Sequence, residues 1–208
     1  MKKSKKKKKS NSWKIKQHRD QFFKKSKILG YRSRAAFKLI ELNKKYNFLK
    51  KDTNVLDIGA SPGGWSQVLR KTSDRGKILA LDLEIMNEIK EVKFLQGDFL
   101  NESIKNQITK FFKGNLNVVL SDMAADTTGN KSLDCIRTNQ LCSEVIKFSH
   151  ENLNQNGILV TKLFMGEDFL EVKELAKSRF KKVQFFKPEA SRNESKETYL
   201  HCAVLKTL

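Results

Sequence analysis

The segment Val55-Leu56-Asp57-Ile58-Gly59-Ala60-Ser61-Pro62-Gly63-Gly64-Trp65-Ser66 concentrates residues that could hold a small molecule. An apolar run, a glycine cluster and the start of a helix follow one another. Glycines lack a Cβ, so the backbone there can approach a ligand closely at a helix N-terminus. The spacing is G-x-x-x-G-G with Pro62 inside it, which departs from the G-x-G-x-x-G of pyrophosphate-bearing cofactors. Asp82 stands 18 residues beyond Gly64 and ends the next apolar run. A carboxylate at that place can accept both hydroxyls of a ribose. Gly97-Asp98-Phe99 follows a third run, and its carboxylate can take the exocyclic amino proton of an adenine. Each segment alone is an ordinary turn; the three together read as a nucleoside site.

A sheet is needed to bring these groups to one edge. Apolar runs predict strands over 54–58, 77–82, 92–95, 116–120, 157–163, 183–186 and 198–205. Helical patterns fall between them at 65–71, 104–112, about 139–152 and 169–177, after an opening helix over 33–42 that ends near 46–47, with Ser33 as its possible N-cap. This alternation predicts an α/β fold: a mostly parallel, seven-stranded, Rossmann-like sheet with helices on both faces. No helix separates the last two strands, so one strand is expected to run antiparallel. Ligands of such sheets bind beyond the carboxyl ends of the strands. Asp57, Asp82, Asp98 and Asp122 are all expected at that edge. Lys162 ends the apolar run Ile158-Leu159-Val160, an unusual place for a lysine.

The chain has 208 residues, with 42 Lys+Arg against 23 Asp+Glu, a net charge of +19. Residues 1–27 hold 13 of the bases and a single acid, Asp20, and so carry +12 of that charge. They read as a basic arm, partly disordered, and 28–208 as one domain. A polyanion is the natural partner of such an arm, and nucleic acid fits best because the body is basic too. A solubilising tail is the plainer reading. Anionic lipid is a further one, though no amphipathic helix accompanies the lysines. Trp13, Phe22 and Phe23, set among bases, would either stack on unpaired bases or pin the arm to the body. No run reaches 18 apolar residues, so no membrane span is expected. Cys135, Cys142 and Cys202 are odd in number and far apart, which argues against a disulfide framework or a CxxC zinc site and for a reducing compartment. No apolar segment of a secretory signal follows the N-terminal lysines. His18, His150 and His201 have no partner pattern and read as structural; no metal site is expected.

Asp57-Ile58-Gly59-Ala60-Ser61-Pro62-Gly63-Gly64-Trp65-Ser66-Gln67 resembles the S-adenosylmethionine loop of the FtsJ-type RNA 2′-O-methyltransferases. Gly30–Leu39 resembles that family's opening helix, Ser121-Asp122-Met123-Ala124 its fourth-strand segment, and Val160-Thr161-Lys162 its fifth. Lys187–Arg192 and Ser195–Leu200 resemble its C-terminal segment. The order and spacing of these pieces make the likeness specific over most of the chain. It implies S-adenosylmethionine as cofactor, and a catalytic Lys-Asp-Lys-Glu set at Lys38, Asp122, Lys162 and Glu197. It also implies cofactor contacts at Gly63, Trp65, Asp82, Asp98 and Asp122. Ala125 and Asp126 depart from the Pro and Asn that the family often has after its Ser-Asp-Met-Ala. Length, basic arm and the His18-Arg19-Asp20 region are similar to the bacterial and organellar branch. That branch acts on a uridine of large-subunit ribosomal RNA; its tRNA-modifying relatives are the nearest alternative. A monomer is expected, acting in the cytoplasm or, in a eukaryote, in an organelle matrix.

The resemblance also sets the chemical question. A ribose hydroxyl is a weak nucleophile, so it must be aligned with the methyl donor and must lose a proton. A lysine serves as base only when burial or a second cation lowers its pKa, whereas neighbouring carboxylates favour its charged form. A dehydrogenase on a similar sheet is disfavoured by the glycine spacing. A non-catalytic RNA-binding factor would be expected to lose the tetrad. Deleting residues 1–10, which contain seven lysines, is expected to weaken RNA binding and flatten its salt dependence while free cofactor binds as before. Filter binding at several salt concentrations checks this; identical curves would leave the segment a solubiliser.

Overall fold

In the computed structural model, which describes residues 20–207, the apolar runs form β1 (Val55–Ile58), β2 (Ile78–Asp82), β3 (Lys93–Gln96), β4 (Leu116–Ser121), β5 (Leu153–Phe164), β6 (Phe180–Phe186) and β7 (Glu197–Leu205). The helices among the described residues are α1 (Gln21–Ile28), α2 (Ala35–Tyr46), α3 (Gly64–Thr72), α4 (Glu102–Phe112), α5 (Lys131–Asn152) and α6 (Phe169–Arg179). One sheet of seven strands runs β3-β2-β1-β4-β5-β7-β6. β3, β2, β1, β4 and β5 pair parallel, and β7 is antiparallel to both β5 and β6. The expected fold class, with its single antiparallel strand, is the observed one.

Alternation along the strands divides the core into two layers. Leu56, Leu79, Leu81 and Leu159 meet Ile104, Ile108, Val145, Ile146, Val172 and Ala176 from α4, α5 and α6. Val55, Ile78, Ala80, Val160 and Tyr199 meet Leu39, Leu42, Trp65, Val68 and Leu69 from α2 and α3. Both faces of the central strands are thus covered, which is why β1 reads as a continuous buried run. Among the described residues no helix is long and apolar enough to cross a membrane.

The structure corrects several local expectations. Ser33 does not cap α2: Arg34 takes that place with helical φ and no side-chain cap bond. α5 starts at Lys131, eight residues before the expected 139, because the Asn130 side chain accepts from the Ser132 and Leu133 amides at 3.1 and 3.2 Å. Its first turn is exposed and mostly polar, so hydrophobic periodicity does not register it. β5 begins directly after α5. Leu116 pairs with Leu153 but Val118 with Ile158, an irregularity that absorbs the extra residues. The expected boundary at residue 27 falls inside α1. Asp20 caps that helix by accepting from the Phe22 and Phe23 amides at 3.0 and 3.1 Å, and it also pairs with Arg34. Phe22 packs against Phe37 with ring centroids 5.6 Å apart. That contact fits the pinning alternative. Trp13, His18 and the lysines at 2–9 lie outside the described residues.

Two buried groups in the sheet carry opposite pH responses. Burial lowers the His201 pKa from 6.5 to about 4. Its ring stacks on Tyr46 at 4.0 Å, and its nitrogens bond no other described residue. Burial raises the Asp57 pKa from 3.8 to about 7, against the bond it receives from the Ser66 hydroxyl at 2.6 Å. Between about pH 4 and 6.5 the unfolded chain binds the His201 proton and the native chain does not, so this group costs stability as pH falls. Over nearly the same window the native chain alone holds the Asp57 proton, so that group costs stability as pH rises. The two slopes largely cancel. His201→Phe is therefore expected to gain on the parent by about 1–2 kcal/mol as pH falls from 7 to 5. Urea unfolding at both pH values checks it; a difference independent of pH would mean that His201 is not buried neutral.

Candidate active site

A cavity of about 340 Å³ opens at the carboxyl edge, over the ends of β1, β2 and β4. Gly59, Ser61, Asp82, Asp98, Phe99 and Asp122 are among its lining residues. Gly59 has φ +77, and a Cβ there would meet the Met123 Cγ at 2.9 Å and its amide nitrogen at 3.0 Å. Glycine thus lets the loop after β1 pass under the loop after β4. Asp82 is fixed from both sides: one oxygen accepts from the Ser61 amide at 2.8 Å and the other from the Glu84 amide at 2.8 Å. Asp98 uses one oxygen to accept from the Leu100 amide at 2.9 Å. Ile58, Leu81, Leu83, Phe99, Met123 and Leu141 supply apolar wall between these acids.

Beside the cavity, four charged side chains converge. β4 ends at Ser121, so Asp122 sits next to the end of β5. Lys162 of β5 pairs across the sheet with Tyr199, and Phe164 with Glu197. Tyr199 and Glu197, two residues apart, therefore share the face on which Lys162 lies. α2 packs on that face and brings Lys38. The Lys162 Nζ donates to the Asp122 carbonyl at 2.6 Å and lies 3.1 Å from its Oδ1. Lys38 Nζ is 2.8 Å from Glu197 Oε1 and 3.8 Å from Asp122 Oδ1. Lys162 is only 8% exposed and the Lys38 side chain 12%, so these are shielded charges. Burial pushes the Asp122 carboxyl up, but Lys162, Lys38 and the Tyr199 hydroxyl outweigh it and hold the pKa below the usual carboxylate value.

All four expected catalytic residues thus form one cluster. Of the expected cofactor contacts, Asp82, Asp98 and Asp122 line the cavity. Gly63 and Trp65 do not. Gly63 has φ +107, and a Cβ there would press on Arg32 Nη1 at 2.8 Å and Met86 Sδ at 2.9 Å. Arg32 in turn donates to the Pro62, Asn87 and Glu88 carbonyls and so ties the glycine loop to the segment after β2. Trp65 is buried and donates its indole N–H to the Ala35 carbonyl at 2.7 Å. Asp57, expected at the edge, is buried beneath the loop. Asp126, at one of the two departures from the family pattern, lines the cavity; its carbonyl accepts from Arg137 at 3.0 Å.

Sequence reasoning missed two members of the network. The Tyr199 hydroxyl donates to Asp122 Oδ1 at 2.6 Å and accepts from Lys38 at 3.1 Å. The Ser191 hydroxyl donates to Glu197 Oε1 at 2.7 Å. Tyr199 was detectable in principle, because it lies two residues after Glu197 on a strand. Ser191 comes from the irregular segment before β7, and no periodicity points to it.

Residues 31–205 match the sequence profile of the FtsJ-like methyltransferases. The chain belongs to that family. A relative from Pelagibacter ubique, named ribosomal RNA large subunit methyltransferase E, is 42% identical over 197 residues, covering 95% of this chain and 97% of its own. One of the same name from Methanosphaera stadtmanae is 39% identical over 193 residues, covering 90% of this chain and 94% of its own. A crystal structure described as a putative ribosomal RNA methyltransferase from Plasmodium falciparum superposes with a TM-score of 0.76 at 33% identity, covering 84% of this chain and 98% of that one. Human methyltransferase-like protein 13 shares the fold at a TM-score of 0.57 and 14% identity.

This FtsJ-like methyltransferase uses S-adenosylmethionine as methyl donor. The cavity suits that molecule: it has a carboxylate for ribose hydroxyls, a second for an exocyclic amine, apolar wall for a purine, and a glycine where a Cβ would clash. Asp82→Ala is expected to weaken S-adenosylmethionine binding by roughly 1.5–3 kcal/mol for each charged hydrogen bond lost. Calorimetry on the purified variant measures it, and unchanged affinity would remove Asp82 from the site.

Proposed function

We propose that this methyltransferase methylates the 2′-hydroxyl of a uridine in large-subunit ribosomal RNA, acting as a monomer in the cytoplasm. The names of its relatives support the RNA substrate. The observation that carries the reaction type is the Lys38–Asp122–Lys162–Glu197 cluster at the mouth of the donor cavity. Two basic and two acidic side chains gathered beside the cavity that Asp122 lines suit a neutral hydroxyl that must be gripped and turned. The bound sulfonium supplies an electrophilic methyl group.

The protein's part is alignment. Lys162 spends hydrogen bonds on the carbonyl and carboxylate of Asp122, and an ammonium has three donors. The remaining one is available to the ribose oxygen. Asp122 thus holds the Lys162 Nζ from two sides, its carbonyl at 2.6 Å and its Oδ1 at 3.1 Å. Lys162 therefore orients the hydroxyl, and the proton that attack on the methyl makes acidic passes to solvent water. Lys38 is clamped by Glu197 and Tyr199, and Ser191 fixes Glu197. These residues hold the ribose wall in place without being consumed in the reaction.

Transfer of labelled methyl to large-subunit RNA, in a form that blocks alkaline cleavage at the methylated nucleotide, tests the function; no such product would refute it. Lys162→Ala is expected to lower single-turnover transfer by at least about 10²-fold with cofactor binding almost intact. Lys162→Arg keeps the charge and the donors but cannot give up a proton at these pH values. It is expected to retain well more activity than the Ala variant. An Arg variant as inactive as Ala would instead make Lys162 the proton acceptor.

A further inference from the structure

A second opening at the carboxyl edge shares only Glu197 with the cluster described so far. It measures about 460 Å³ and is bounded by Met165, Phe169, Phe185, Phe186, Lys187 and Lys196, with Glu197 in its wall. Met165 follows β5, Phe185 and Phe186 end β6, and Lys196 precedes β7, so the opening sits over β5, β7 and β6. The Met165 amide donates to the Lys196 carbonyl at 2.9 Å and closes one side. Phe169 and Phe185 stand with ring centroids 5.1 Å apart. Met165 is 48% exposed.

Three features fall in a row along the sheet edge: donor cavity, catalytic cluster, aromatic groove. In-line transfer places the attacking oxygen on the side of the methyl group away from the sulfur. The cluster lies between cavity and groove in the strand order, so an acceptor gripped there can enter from the groove side. Electrostatics agrees. Asp82, Glu84, Asp98, Asp122 and Asp126 line the donor cavity, a wall that repels phosphate. Among the described residues lining the groove, Glu197 is the only acid, and Lys187 and Lys196 stand with it. Lys187 bonds the Asn193 and Ser195 carbonyls and shapes the rim. Lys196 is exposed. Aromatic rings and a thioether flanked by cations offer stacking and charge together, which suits an unpaired nucleotide.

We propose that this groove holds the base of the acceptor nucleotide against the Met165–Phe169 wall, with Lys196 at an adjoining phosphate. The proposal rests on the 2′-hydroxyl reading above. Met165 and Lys196 lie outside the catalytic and cofactor sets, and their exposed side chains can be replaced without opening the core. Met165→Ala combined with Lys196→Gln is expected to raise the KM for deproteinised large-subunit RNA about tenfold or more, with cofactor affinity and single-turnover rate at saturating RNA nearly unchanged. Large-subunit RNA transcribed with 4-thiouridine, bound to the parent and irradiated, is expected to crosslink the nucleotide that the parent methylates to the peptide spanning 164–170 or 183–187. An unchanged KM, or crosslinks of that nucleotide only to other peptides, would overturn the groove assignment. A KM raised on assembled subunits but not on deproteinised RNA would assign the groove to a ribosomal protein and likewise overturn it. The parent's own methyl transfer, run on deproteinised RNA and on large subunits from cells lacking the protein, is the control: if it fails on both, the 2′-hydroxyl reading has failed, and if it succeeds on either while the groove tests on that substrate fail, only the groove assignment falls.

Discussion

One carboxylate holds the centre of this protein together. Asp122 Oδ1 takes the Tyr199 hydroxyl at 2.6 Å and Lys162 at 3.1 Å, with Lys38 at 3.8 Å, while its backbone carbonyl takes Lys162 again. A largely buried carboxylate survives only when its lost hydration is replaced, and here two basic side chains and a phenol replace it. The dependence runs both ways. Lys162 is nearly enclosed and would be expensive to bury without that anion. The ends of β4 and β5, the first strand turn of β7 and one face of α2 are thereby fixed to a common point. That same point forms part of the donor cavity wall, so the cavity and the charged cluster cannot drift apart independently.

The sequence made much of this legible, for identifiable reasons. Each central strand is a short apolar run buried on both faces, and such runs stand out between polar turns. The strand-end acids Asp82, Asp98 and Asp122 follow from the rule that ligands sit at the carboxyl edge. The expected four-residue catalytic set did not come from periodicity; Lys38 and Glu197 look like surface residues until the likeness to a family singles them out. What was not legible depends on contacts between segments distant along the chain. Ser33 looks like a cap but faces the Gly64 backbone, where a Cβ would collide with its hydroxyl. Trp65 looks like a ligand contact in its loop, yet its indole satisfies the Ala35 carbonyl. α1 looks like part of a charged tail because its apolar face amounts to little more than Phe22 and Phe23, and only the Phe37 ring reveals what that face meets. Asp57 reads as one more edge acid, and only its depth beneath the loop shows that it faces Ser66 rather than solvent.

The place of β7 in the sheet has a consequence for the order of assembly during synthesis. It is the last strand of the described chain, yet it lies between β5 and β6. Domains form as the chain emerges from its N-terminus. The parallel portion from β3 to β5 can pair while the rest is still being made, but β6 has no neighbour until β7 inserts. Until then one edge of β5, including Lys162, is unpaired, and neither Glu197 nor Tyr199 has arrived to balance Lys38. The nascent chain can thus assemble the walls of its donor cavity well before the charged cluster beside it is complete. On the function proposed above, the charged cluster that grips the acceptor is complete only once that final strand is in place.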